Sequence, residues 1–85
     1  MNLSQIANKV KISYKAQEWF DCASWAMTAV FSTSGLSWPY FYLGECHYNL
    51  GNMDLSKSFY RLYLLRRKES DPVEWTLKAK SRYQT

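Results

Sequence analysis

The 85-residue sequence is poor in the residues that break or specialise a backbone: three glycines, two prolines, two cysteines and one histidine. So few breakers, no tract of low complexity and a 47% hydrophobic content exclude a disordered tail. No run of about 18 apolar residues occurs, so nothing in the sequence reads as a bilayer-spanning helix. The segment from Met1 to Ile12 mixes lysines into a weakly apolar pattern and lacks the apolar stretch of a signal peptide, which makes cytosolic residence the expectation. Cys22 and Cys46 form neither a CxxC pair nor a framework of bridges, and both are expected as reduced core thiols. A chain of this length makes one domain and buries roughly 60–65% of its unfolded surface, enough for a modest core and little for a deep enzyme pocket.

Aromatic residues, in contrast, are plentiful: four Trp, seven Tyr and four Phe. That exceeds what a few small helix interfaces hide, so some rings should be exposed. The net charge is +4, and eight of the eleven basic residues lie from Lys57 onward. A moderate basic excess without a recognised motif reads as a solvated face before it reads as a nucleic-acid site.

Apolar spacing predicts helices throughout. Ser4 to Lys15 has Ile6, Val10 and Tyr14 at four-residue intervals, with Ser4 as N-cap. Glu18 to Phe31 is apolar nearly all round, from Trp19 and Phe20 through Cys22, Trp25 and Met27 to Val30, so it must lie between two neighbours or hold a partner. Ser32-Thr33-Ser34-Gly35 is a polar break. Ser37 suits an N-cap and Pro39 a first helical turn, opening a helix that carries Tyr40, Leu43, Gly44 and Leu50 on one face. Gly44 offers room for a close helix crossing, and Gly51 stops the helix in the left-handed conformation. Asp54 is the expected cap of the next helix, with Leu55, Phe59, Leu62 and Tyr63 as its stripe and Arg66-Arg67-Lys68 at its end, where positive charge suits the helix dipole. Asp71, Pro72 and Glu74 read as N-cap, first helical residue and capping-box partner of a last helix reaching about Tyr83.

A repeat organises these helices, with a period of about 34 residues. Ile6, Val10 and Tyr14 recur one period later as Tyr40, Gly44 and Tyr48, and a period after that as Trp75, Ala79 and Tyr83. Trp19, Cys22, Ala26 and Ala29 map in the same register to Met53, Ser56, Tyr60 and Tyr63. The expected architecture is therefore all-α: two antiparallel helical hairpins, about residues 3–36 and 37–70, and a C-terminal capping helix over about 72–83 that covers the second hairpin.

Leu43-Gly44, Leu50-Gly51, Met53, Ser56, Tyr60 and Tyr63 follow the order and spacing of a tetratricopeptide repeat (TPR), and the chain resembles that family, whose fold is a right-handed α-solenoid. The string from Tyr40 to His47, with Leu50 following, is also similar to a repeat of the TPR chaperones of bacterial type III secretion systems. The resemblance implies a bacterial cytoplasmic chaperone or cochaperone without cofactor. It would hold a secreted needle or translocator subunit, in the shorter class beside a second small protein. It also implies that the first helix of each hairpin lines a concave groove, with Trp38, Phe41, Glu45, Tyr48 and Asn49 facing into it and Ser4, Ala7, Lys11, Tyr14 and Lys15 at the matching positions of the first repeat. Ala7 stands where a carboxylate-clamping TPR protein would need lysine, so the groove is expected to be aromatic rather than cationic.

Little in the sequence points to catalysis or metal. Cys46 and His47 are adjacent, about 100° apart on a helix, and cannot readily act as nucleophile and base for each other. No further ligands stand at zinc spacing, and no glycine-rich phosphate loop is present. Two other functions fit the composition. One is an adaptor that scaffolds another complex, with a homodimer through Trp19, Phe20 and Trp25. The other is a nucleic-acid binder using Lys57, Arg61, Arg66, Arg67, Lys68, Lys78, Lys80 and Arg82.

Overall fold

Five helices account for most of residues 1–84, which the computed structural model describes: α1 (Leu3–Lys15), α2 (Trp19–Ser32), α3 (Trp38–Asn49), α4 (Met53–Arg66) and α5 (Val73–Tyr83). No strand occurs among the described residues. Each helix packs chiefly on its sequence neighbours, α1 on α2, α2 on α3, α3 on α4 and α4 on α5, while α1 and α5 touch α3 only lightly. The result measures 36 × 28 × 20 Å.

The period read from the sequence is visible in the backbone. α1, α3 and α5 begin at Leu3, Trp38 and Val73, in two equal steps, and α2 and α4 begin at Trp19 and Met53, a step shorter by one position. The turns inside the two hairpins share one conformation. Ala16 and Leu50 end their helices in the αR region, Gln17 and Gly51 follow with φ of 59° and 82°, and Glu18 and Asn52 lead into the next helix with ψ of 76° and 72°. Their hydrogen bonds match too: the N–H of Glu18 donates to the Ser13 carbonyl at 2.9 Å, and that of Asn52 to the His47 carbonyl at 2.9 Å.

The same register governs burial. Cys22, Ala26 and Ala29 are fully covered, and so are their counterparts one period on, Ser56, Tyr60 and Tyr63; Val10, Gly44 and Ala79 are covered as well. Bulk is exchanged between the two hairpins. Val10 and Ala26 give way to Gly44 and Tyr60, so a ring on α4 fills the space that glycine leaves on α3. One cluster, Val10, Cys22, Ala23, Ala26, Leu43 and Cys46, joins α1, α2 and α3; a second, Phe41, Tyr60, Tyr63 and Ala79, joins α3, α4 and α5.

Three caps differ from expectation. Asn2, not Ser4, caps α1: its side chain accepts the Gln5 N–H at 2.8 Å and its own N–H donates to Gln5 Oε1 at 3.0 Å, a reciprocal capping box. Asn52, not Asp54, occupies the cap position of α4, leaving Asp54 in the first turn. At α5 the cap position belongs to Pro72, because the Asp71 carboxylate is engaged elsewhere. Its Oδ2 accepts from Ser37 Oγ at 2.9 Å, Tyr63 OH at 3.1 Å and the Lys68 N–H at 3.0 Å. Ser37 consequently stands at the start of α3 without a side-chain cap bond of its own, its hydroxyl tying α3 to the α4–α5 connection. Of the expected α4 stripe Tyr63 is buried, but Leu55 is exposed and Phe59 and Leu62 are half-buried; Ser56 and Tyr60 face the core with Tyr63 instead.

Candidate functional site

The face formed by α1, α3 and α5 carries three adjoining hollows that share one residue, Tyr42. The first, about 370 Å³, is lined by Ala7, Lys11, Trp38, Tyr42, Asp71, Pro72 and Trp75. Lys11, Ile12, Tyr14, Lys15 and Tyr42 line the second, about 480 Å³, and Tyr14, Phe41, Tyr42, Glu74, Trp75 and Lys78 the third, about 270 Å³. Edge-to-face contacts hold the rings in place: Tyr42 meets Tyr14 at 5.2 Å, Trp38 at 6.1 Å and Trp75 at 5.6 Å between centroids. The trough is thus a fixed aromatic floor with lysines on two sides.

Beneath it lies a buried carboxylate. Glu45 is 1% exposed and collects donors from α1, α4 and α5. Tyr14 OH donates to Oε1 at 2.7 Å, Lys78 Nζ to Oε1 at 2.9 Å, and Tyr60 OH and Arg82 to Oε2. Arg82 also donates to Tyr60 OH at 2.7 Å and lies 3.7 Å from the centroid of the Tyr48 ring. Burial by itself would push the Glu45 carboxyl up. The hydrogen bonds from Tyr60, Lys78 and Tyr14 outweigh it and hold the group below its ordinary range. Burial first, then the same proximity, raises the phenols of Tyr14 and Tyr60.

Of the residues expected to face a groove, Trp38, Lys11, Tyr14, Lys15 and Ala7 line the trough. Phe41 is 3% exposed; its ring stacks on Trp75 at 4.6 Å and 9°, so only an edge reaches the floor. Glu45 does not open onto the trough, because it is buried and α5 lays Lys78 and Arg82 across it. Tyr48, 39% exposed, sits away from the trough beside a separate hollow with Met53, Ser56, Lys57 and Arg82. Asn49 turns back to its own helix, its Nδ2 donating to the Glu45 carbonyl at 2.8 Å. Tyr42, Trp75 and Lys78 also line the trough and are not among the expected groove residues, Lys78 being named only for the nucleic-acid alternative. Tyr42 stands one turn after Trp38, which is the spacing that signals a shared helical face.

His47 is stacked on Phe59 at 5.4 Å, and desolvation lowers its pKa. The Cys46 thiol is fully buried, and its contact with Cys22 together with burial keeps it protonated. Among the described residues no three His, Cys, Asp or Glu side chains gather in a way that could hold a metal ion, and no helix is long and apolar enough to cross a membrane. The basic residues are divided: Lys78 and Arg82 turn inward to Glu45, and Arg66 lies 5.0 Å from the centroid of the Tyr40 ring. No protein-family model, no curated protein and no solved structure matches the chain.

Proposed function

We propose that this protein is a non-catalytic, TPR-type protein-binding module that takes a segment of a client polypeptide along the α1–α3–α5 trough. The observation that carries this reading is the continuity of the three hollows around Tyr42, bounded by Trp38, Tyr14 and Trp75 and edged by Lys11, Lys15 and Lys78. Rigid rings flanked by polar groups suit apolar side chains of an extended or helical peptide, since few rotamers are lost on binding. The TPR part of the reading is supported by the near-equal steps between helix starts and the matched hairpin turns. With the similarity of the Tyr40–His47 string to type III secretion chaperones, the reading extends to a bacterial cytoplasmic chaperone that shields an apolar segment of a secreted needle or translocator subunit before export.

A photo-crosslinking amino acid at position 42 in the native host tests it, with position 65 on α4 as control. A discrete adduct from position 42 that is absent from position 65 is expected, and Trp38→Ala should weaken it. No adduct, or the same adducts from both positions, sinks the trough assignment. The adduct's identity separates the readings: an exported subunit supports the chaperone, a resident component of another complex the adaptor.

A further inference from the structure

A second surface lies on α2, apart from the trough. Phe20 and Phe31 are 75% and 82% exposed, and Ser24 and the half-buried Met27 stand between them. The positions 20, 24, 27 and 31 follow a four-three-four spacing, the seam along which one helix lies against another. Across the outer face of α2 the only charge is Asp21, followed by Ser24, Thr28 and Ser32, although the chain as a whole is one-fifth charged. Depletion of charge around exposed rings marks the centre of an interface rather than a solvated helix. Beside the Phe20 end opens a hollow of about 560 Å³, lined by Phe20, Ala23, Ser24, Met27, His47 and Leu50 among others.

We infer that α2 pairs antiparallel with α2 of a second copy of this chain, forming a two-fold homodimer. The spacing is its own mirror image. An antiparallel pair centred between residues 25 and 26 sets Phe20 against the second copy's Phe31, and Ser24 against the second copy's Met27. The projecting ring at one end of the helix therefore meets the hollow at the other end of its mate, twice, as an isologous contact requires. Ser24 keeps the crossing narrow. Taking about 200 Å² for each large side chain, the exposed parts of Phe20, Phe31 and Leu50 come to roughly 390 Å² per copy. A pair thus buries about 780 Å² from these three side chains, and Met27 with the polar rim of Ser24, Thr28 and Ser32 must supply the rest of the ~1,000 Å² that a specific interface should clear.

Sedimentation equilibrium of the full chain, from about 1 μM to about 1 mM, reads the association directly. The expected result is a concentration-dependent rise from 10.1 kDa to twice that mass. Phe31→Asp should raise the dissociation constant at least about 30-fold with the circular dichroism unchanged, because that ring is outside the core. Leu77→Asp, on an exposed part of α5, should leave the mass curve as it was. Mixing Ser24→Cys chains with Met27→Cys chains under mild oxidation should cross-link faster than either variant alone; the native cysteines are fully buried. A monomer at every concentration overturns the inference. So does a dimer that ignores Phe31→Asp, or cross-linking that is faster within each variant than between them, which is the mark of a parallel pair.

Discussion

Gly44 is a position where α3 and α4 come close. A Cβ built there would lie 2.7 Å from Tyr60 Cδ1 and 2.9 Å from Cγ, atoms near the root of a fully buried ring that is itself pinned by hydrogen bonds to Glu45 and Arg82. The carbonyl of Gly44 also accepts from Ser56 Oγ at 2.8 Å, which fixes the crossing from the other side. Gly44→Ala should therefore cost about 2 kcal/mol and lower Tm by roughly 8–16 °C in a thermal melt. An unchanged Tm would mean that the ring can move aside. At the hairpin turns the cost has a different origin. Gly51 has open space around its α-carbon, so Gly51→Ala should lose only about 1 kcal/mol, from the left-handed backbone alone. Gln17 holds the same conformation without glycine's freedom, and Gln17→Gly should be neutral or slightly stabilising in a urea titration.

Glu45 belongs to the same scale. Its folded pKa lies below its unfolded value, so the unfolded chain binds more protons in the interval between the two. The stability it contributes is complete above about pH 4.5 and is lost as pH falls through the lowered value. The tyrosines run the other way. Tyr14, Tyr60 and Tyr63, the last raised to about 12, stay protonated in the fold while the unfolded chain starts to ionise near pH 10. Their contribution is complete below about pH 10 and is lost as pH rises. Denaturation followed at both extremes should show a cooperative loss below pH 4.5 that Glu45→Gln removes. The alkaline limb should appear as a late tyrosinate absorbance step that coincides with unfolding. At neutral pH Glu45→Gln should cost about 2 kcal/mol, less than the ~3–5 kcal/mol of a fully enclosed pair, because Lys78 and Arg82 keep part of their surface in water.

Among the elements, α5 is the one held by long-range polar contacts as much as by apolar packing. Ala79 alone is fully buried in it, and Trp75 stacks on Phe41. The rest of its attachment is the Glu45 pairing and, at its start, the Asp71 carboxylate that gathers Ser37, Tyr63 and the Lys68 N–H. Trp75→Ala should lower stability by about 2–3 kcal/mol, since the indole is only half-buried, and should raise amide exchange in α5 before the other helices. Uniform exchange across all five helices would show instead that α5 opens only with the whole fold. The Asp71 contacts also bear on why a strong capping signal in the sequence gave no cap: its Oδ2 is taken by Ser37 and Tyr63, from α3 and α4, and by the Lys68 N–H three residues before it.

Over the whole molecule, three first-position helices face one way and leave the trough between them, while α2 turns an uncovered apolar stripe outward. The two surfaces make separate predictions. On the proposed reading, Tyr42→Ala should weaken client capture at least about tenfold in a binding titration run well below the melting temperature; because the half-buried ring also packs against the first cluster, the variant should lose about 2–3 kcal/mol of stability as well. The oligomeric state should not respond to that change. Loss of both properties together would point to one shared surface and remove the division between them.

Composition and spacing alone determined that the chain is helical, where the five helices begin to within a residue or two, and that several buried positions recur one period apart. Each of these rests on local chemistry: apolar recurrence, a proline in a first turn, a glycine after a last one. Tertiary structure decided that Glu45 is a buried anchor and not a groove residue, that Phe41 lies under Trp75, and that Tyr42 is the centre of the trough. The groups that settle Glu45 stand 31, 15, 33 and 37 residues away, on three other helices. Periodicity assigns a residue to a face of its helix, but which neighbour closes over that face depends on how distant segments fill the space, and no local pattern encodes it.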